Sequence, residues 1–122
     1  MTVQELYESI GGDYDQAIRV LRMDKLVDKH IRKLANNGVV ERLLDAGQTM
    51  DPTELFEAAH AVKGVCANLG LMKIADAASD IAEEYRPGNS RTLSDVEVAE
   101  RLQTVADLYA KTVDGIKHYE EA

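Results

Sequence analysis

The residues best suited to chemistry lie at 58–70, AAHAVKGVCANLG, where a histidine, a lysine and two glycines interrupt an otherwise helical pattern. A neutral imidazole offers a ring-nitrogen lone pair to an electrophile at pH 7, because its ordinary pKa is about 6.5. On a helix turning about 100° per residue, with Leu55 at zero, Ala59, Val62, Cys66 and Leu69 fall within about 40° of Leu55. His60, Gly64, Ala67, Thr53 and Glu57 fall between about 120° and 200°, so His60 points away from the apolar stripe. Lys63 sits near 80°, on the flank, within reach of a group attached to His60. Glycine costs about 1 kcal/mol relative to alanine in a helix interior, so Gly64, one turn beyond His60, calls for a reason. Clearance is such a reason: with no side chain at Gly64 and a small one at Ala67, a second protein can descend onto the ring. If it carries a phosphoryl group, Lys63 is placed to neutralise part of the roughly −2 charge that His60 acquires.

Other candidates carry less. His30 lies in the charged run DKHIRK and His118 in the C-terminal KHYEEA, and both read as surface residues. Cys66 falls inside the apolar stripe and reads as an inert buried thiol. Glu57-x-x-His60 has the form of half a di-metal bundle site, which needs a second Glu-x-x-His and two further inward glutamates. Neither His30 nor His118 has an acidic residue three positions before it, so no metal is expected. No Gly-rich phosphate loop of the Walker or dinucleotide kind is present, and no cofactor is expected.

The elements that must position His60 are helical. Thr2 with Glu5, Asp51 with Glu54 and Ser94 with Glu97 each give the cap-x-x-Glu pattern of a helix start, and Pro52 suits a first helical position. Gly11-Gly12, Gly47, Gly70 and RPGNSRT at 86–92 read as stops. Four apolar stripes lie between them: Val27, Ile31, Leu34, Val40, Leu43, Leu44, broken near Asn36-Asn37-Gly38; Leu55 to Leu69; Leu71, Ile74, Ala78, Ile81, Tyr85; and Ala99, Leu102, Ala106, Tyr109, Val113, Ile116. The expectation is an all-α antiparallel four-helix bundle over residues 24–122, preceded by one or two short helices over 1–23 that pack on an end or side of it, in a single domain of 122 residues.

Apolar residues at 45% supply an aliphatic core, since Trp is absent and Phe56 is the sole phenylalanine. The net charge of −8 speaks against nucleic acid or an anionic membrane surface as partner, both of which need a basic footprint. A lone cysteine forms no internal disulfide, and no apolar run approaches the roughly 18 residues of a membrane span. With no leader pattern visible at the N-terminus, the expectation is a cytoplasmic monomer, and the start at Met1 leans toward a free-standing chain.

His60-x-x-Lys63-Gly64-x-x-Ala67-x-x-Gly70, with aliphatics at Val62 and Leu69, resembles the signature of histidine-containing phosphotransfer (HPt) domains. The AA before His60 and LMKIADAASDIAEEYR after Gly70 are similar to the family's flanking helices, and the helix order resembles it along the whole chain. The resemblance implies that His60 is phosphorylated on Nε2 and exchanges the phosphoryl group with aspartates of response-regulator receiver domains, or takes it from a hybrid histidine kinase. It further implies that Lys63 stabilises the phosphate, that Gly64 and Ala67 give the partner access, and that Gly70 serves the motif's structure. Such a chain is a phosphocarrier rather than an enzyme, because the metal ion and most catalytic groups belong to the partner. Many members carry small hydroxyl residues where this chain has Val65 and Cys66, so hydroxyl contacts there do not carry over. The rival expectation is a helical interaction module in which His60 is unused.

Overall fold

Side-chain caps and left-handed residues divide residues 1–121, which the computed structural model describes, into seven α-helices with no strand among them. Helix α1 (Val3–Ile10) opens on a complete capping box, in which the Glu5 amide donates to Thr2 Oγ1 at 3.1 Å and the Thr2 amide donates to Glu5 at 2.8 Å. It closes at Gly11, with φ 72°. Helix α2 (Tyr14–Leu21) is capped by Asp13, which accepts from the Gln16 amide. Helices α3 (Asp24–Leu34) and α4 (Val39–Thr49) are separated at the Asn36-Asn37-Gly38 break that the sequence marks. Then follow α5 (Pro52–Asn68), α6 (Met72–Tyr85) and α7 (Asp95–Glu121), the last opened by the Ser94–Glu97 capping box.

Three local expectations are corrected. Asp51 stands at the N-cap of α5 with Pro52 behind it, as expected, but makes no side-chain cap bond, and the Glu54 carboxylate that would complete a capping box binds Arg42 at 2.7 Å instead. Gly47 does not stop a helix: it lies inside α4, where a Cβ would stand 2.8 Å from Leu102 Cδ1, and the left-handed residue that ends α4 is Met50. In α7 the buried seam is Val98, Val105, Tyr109, Thr112 and Ile116, whereas Ala99 is exposed and Leu102, Ala106 and Val113 flank the seam. This rotation follows from α7 packing against α1, α4 and α6 together, so that the most central face wins over the most apolar one.

The broken rod α3–α4 runs antiparallel to α7. Tyr119 near the end of α7 donates to Asp28 on α3, Tyr109 donates to Glu41 on α4 at 2.7 Å, and Gly47 meets Leu102 nearer the start of α7. With α5 and α6, which pack antiparallel across the Gly70 turn, these segments make the four-helix bundle. The two N-terminal helices do more than lie on its surface. Val3, Leu6, Tyr7 and Ile10 are buried, Gly115 of α7 gives room for Ile10, and the buried Tyr7 hydroxyl donates to the Leu69 carbonyl at 2.7 Å.

Gly70 ties the N-terminal helices to the turn after α5. Its carbonyl accepts from the Asp13 amide at 2.8 Å, its φ is +71°, and a Cβ there would stand 2.0 Å from the Asp13 carbonyl oxygen. At the other end, Glu84 is buried beneath the α6–α7 loop. It accepts from the Arg91 guanidinium at 2.7 Å, from the Thr92 and Leu93 amides at 2.8 Å each, and from the Thr92 hydroxyl at 3.1 Å. Burial alone would raise its carboxyl, but the bonds from Leu93, Arg91 and Thr92 outweigh it and bring the pKa down to about 2.

Gly70→Ala is expected to destabilise the chain by at least about 2 kcal/mol, since left-handed strain alone costs about 1–2 kcal/mol and the backbone clash adds to it; an unchanged urea midpoint contradicts this. Because the Glu84 pKa is depressed from 4.5, its contribution is present above the ordinary value and lost as pH falls toward about 2. Urea midpoints measured from pH 6 down to pH 2 should therefore fall less steeply in Glu84→Gln than in the wild-type chain, and parallel curves contradict it.

Candidate functional site

Helix α5 is covered along one face and bare along the other. Leu55, Ala58, Ala59, Val62 and Cys66 are buried on the side of α5 that packs against α2, α4 and α6, and the small Ala58 and Ala59 let neighbouring backbones come close. The opposite stripe, Thr53, Glu57, His60, Gly64 and Asn68, is exposed, with Lys63 and Ala67 half-buried at its edge. His60 therefore stands on the outward face that its helical position predicts. Gly64 faces open space: a Cβ built there meets nothing within 4 Å, so its lack of a side chain serves no packing inside the molecule. Gly70 belongs to the turn and acts on the site only by fixing where α5 ends.

Around His60 the structure adds residues that the motif does not contain. The Phe56 ring, one turn before it, stacks on the imidazole with centroids 5.8 Å apart and planes 23° apart. The Arg86 guanidinium lies over the Phe56 ring at 5.4 Å. Arg86 also grips Glu83 through Nε at 3.2 Å to each carboxylate oxygen and through its terminal nitrogen at 2.7 Å. These bonds hold the Glu83 carboxyl below its ordinary value, with Lys63 and His60 adding smaller attractions from α5. On the other flank Arg42 binds Glu54 and reaches Glu57 at 3.4 Å. Each carboxylate beside His60 is thus held by an arginine, while Lys63 enters no ion pair within 4 Å among the described residues.

Phe56 was legible as the residue four before His60. Glu83 and Arg86 need the α5–α6 register, which the turn at Gly70 sets. Of the other candidates, Cys66 is fully buried and burial pushes its thiol up to about 12. His30 is half-buried, lining a groove between α3 and α5 with Lys33, Val65 and Asn68, and His118 is exposed with its ring nitrogen 2.9 Å from the Asp114 carbonyl. His30 thus meets the bare face of α5 only at its C-terminal end, beside Asn68. Glu57 is engaged by Arg42, and no group of three His, Cys, Asp or Glu side chains converges as metal ligands among the described residues.

The family model of the Hpt domain matches residues 25–112, which span α3 to most of α7 and contain the whole of α5 and α6. The chain belongs to the Hpt domain family. No curated protein and no solved structure matches it. Membership implies histidine phosphotransfer in phosphorelay signalling, and Hpt domains are phosphocarriers rather than true enzymes. The all-α bundle agrees with that of Hpt domains, and α1 and α2 lie ahead of the matched region. No described helix of this Hpt domain is long and apolar enough to cross a membrane.

Because Gly64 faces solvent, Gly64→Ala should stabilise the fold by up to about 1 kcal/mol through helix propensity, and Gly64→Leu should remain folded. Thermal melts of both variants decide it, and a fall of several degrees in either contradicts the open-space reading.

Proposed function

We propose that His60 is the phosphoryl-accepting residue of this Hpt domain and that its partners are receiver domains of response regulators or of a hybrid histidine kinase. One observation carries the reading: the motif histidine is exposed on α5 with empty space one turn away at Gly64, where neither a packing role nor a core role accounts for the glycine. The His60 Nε2 lone pair attacks the phosphorus of a receiver's aspartyl phosphate, the N–P bond forms as the P–O bond to the carboxylate breaks, and the carboxylate leaves. The reverse step returns the group to an aspartate.

Lys63, free of internal ion pairs among the described residues, offsets the negative charge on the transferred group as it reaches the ring. Gly64 and the small Ala67 form the landing strip beside it, and Gly70 fixes the end of α5 against the N-terminal helices. The metal ion and most catalytic groups of the transfer reside on the partner, and the chain works as a cytoplasmic monomer, phosphate carrier rather than catalyst.

The test is incubation with receiver domains of the source genome, each phosphorylated with acetyl phosphate. The wild-type chain should acquire an acid-labile, base-stable label, and His60→Gln should fold normally but lose it. Lys63→Ala should slow transfer with little change in melting temperature, because an exposed charge contributes little to stability. Acid-stable label, or label retained in His60→Gln, defeats the assignment, and a chain inert to every receiver marks an interaction module instead.

A further inference from the structure

We propose that Arg86 is a positioning residue for phosphoryl transfer, sequestering the Glu83 carboxylate so that it neither repels the incoming phosphoryl group at His60 nor captures Lys63. The inference rests on the reading of His60 as acceptor and assigns a task to two residues outside the motif. Glu83 lies on α6, and the antiparallel register that puts Arg86 over Phe56 brings Glu83 alongside His60 and Lys63, one and two turns further along α5. Lys63 and His60 both act on the Glu83 carboxyl, so the carboxylate lies within electrostatic reach of each. An unscreened carboxylate there would oppose a phosphoryl group in two ways, by direct repulsion and by taking the ammonium that should receive the phosphate.

Arg86 prevents both. It holds Glu83 through three contacts of 2.7–3.2 Å, a forked geometry that an ammonium group cannot match. The same guanidinium lies over Phe56, whose ring stacks on His60, so a single side chain fixes the carboxylate and borders the stack that orients the imidazole. Arg86 and Glu83 are each about half-exposed, so their removal costs little folding stability, and the effect on transfer is electrostatic and modest.

The test uses potassium phosphoramidate as a small anionic phosphoryl donor, which leaves only this chain's own residues in play. Arg86→Gln should label about fivefold more slowly than wild type at low ionic strength, as expected for one like charge placed near the reaction in a largely aqueous medium. The deficit should shrink at about 1 M salt, where screening acts within about 3 Å, and melting temperatures should stay close to wild type. Glu83→Gln alone should label at the wild-type rate or faster, and the double variant Glu83→Gln with Arg86→Gln should recover to within about twofold of wild type. A double variant as slow as Arg86→Gln means that Arg86 contacts the phosphoryl group itself and overturns sequestration, as does a salt-independent deficit or an Arg86→Gln rate equal to wild type. Wild-type label falling elsewhere than on His60 overturns the acceptor reading together with this one, whereas the preceding outcomes overturn the role of Arg86 alone.

Discussion

Everything at the candidate site depends on α5 being packed along one face and bare along the other. The packed face is built from Leu55, Ala58, Ala59, Val62 and Cys66, and its small residues bring α6 close enough for Arg86 and Glu83 to reach the neighbourhood of His60. Cys66 contributes volume rather than reactivity, because burial disfavours its thiolate. The bare face would be an ordinary solvated helix surface were it not for Gly64, a residue that weakens a helix and here packs against nothing. On the proposed reading, this exposed helix-weakening residue beside the exposed His60 gives a second macromolecule room to dock onto the ring.

The glycines separate the demands of folding from those of function. Gly70 has a left-handed φ and a backbone carbonyl where its Cβ would be, and Gly115 makes room for Ile10, so both are fixed by contacts inside the molecule. Those contacts join α1 and α2 to the bundle: the Asp13–Gly70 and Tyr7–Leu69 hydrogen bonds both end on the turn that follows α5. The end of the site helix is thereby held by a segment lying ahead of the residues that the Hpt family model matches. Gly64, by contrast, has no internal contact that selects it.

The helical architecture and the motif face were readable from the sequence because both rest on local rules. The Thr2 and Ser94 caps, the left-handed Gly11 and Gly70 and the α5 stripe each depend on residues within a few positions of one another. What was not readable depended on long-range packing. Glu54 lies where a capping glutamate belongs, yet an arginine twelve residues earlier holds it; Gly47 resembles a stop, yet it accommodates Leu102 from across the bundle. The seam of α7 is set by three neighbours at once, which no single-helix stripe encodes. At the site the motif supplies His60, Lys63, Gly64, Ala67 and Gly70, but the arginines that hold the flanking carboxylates come from α4 and from the residue that caps the C-terminus of α6, and become visible only in the folded register.

The electrostatics of the site follow one arrangement: Arg42 and Arg86 occupy the carboxylates of Glu57 and Glu83, and Lys63, three residues after His60, enters no ion pair among the described residues. For a chain of net charge −8 this is a local exception that favours the proposed transfer of a phosphoryl group. The most direct measurement is a long-range proton–nitrogen NMR spectrum of the histidine rings, recorded on 15N-labelled chain before and after incubation with a phosphorylated receiver domain. The account predicts that Nε2 of His60 shifts and couples to phosphorus while the rings of His30 and His118 keep their positions. A phosphorus coupling on His30 or His118, or a His60 ring unchanged while the chain carries phosphate, would contradict it.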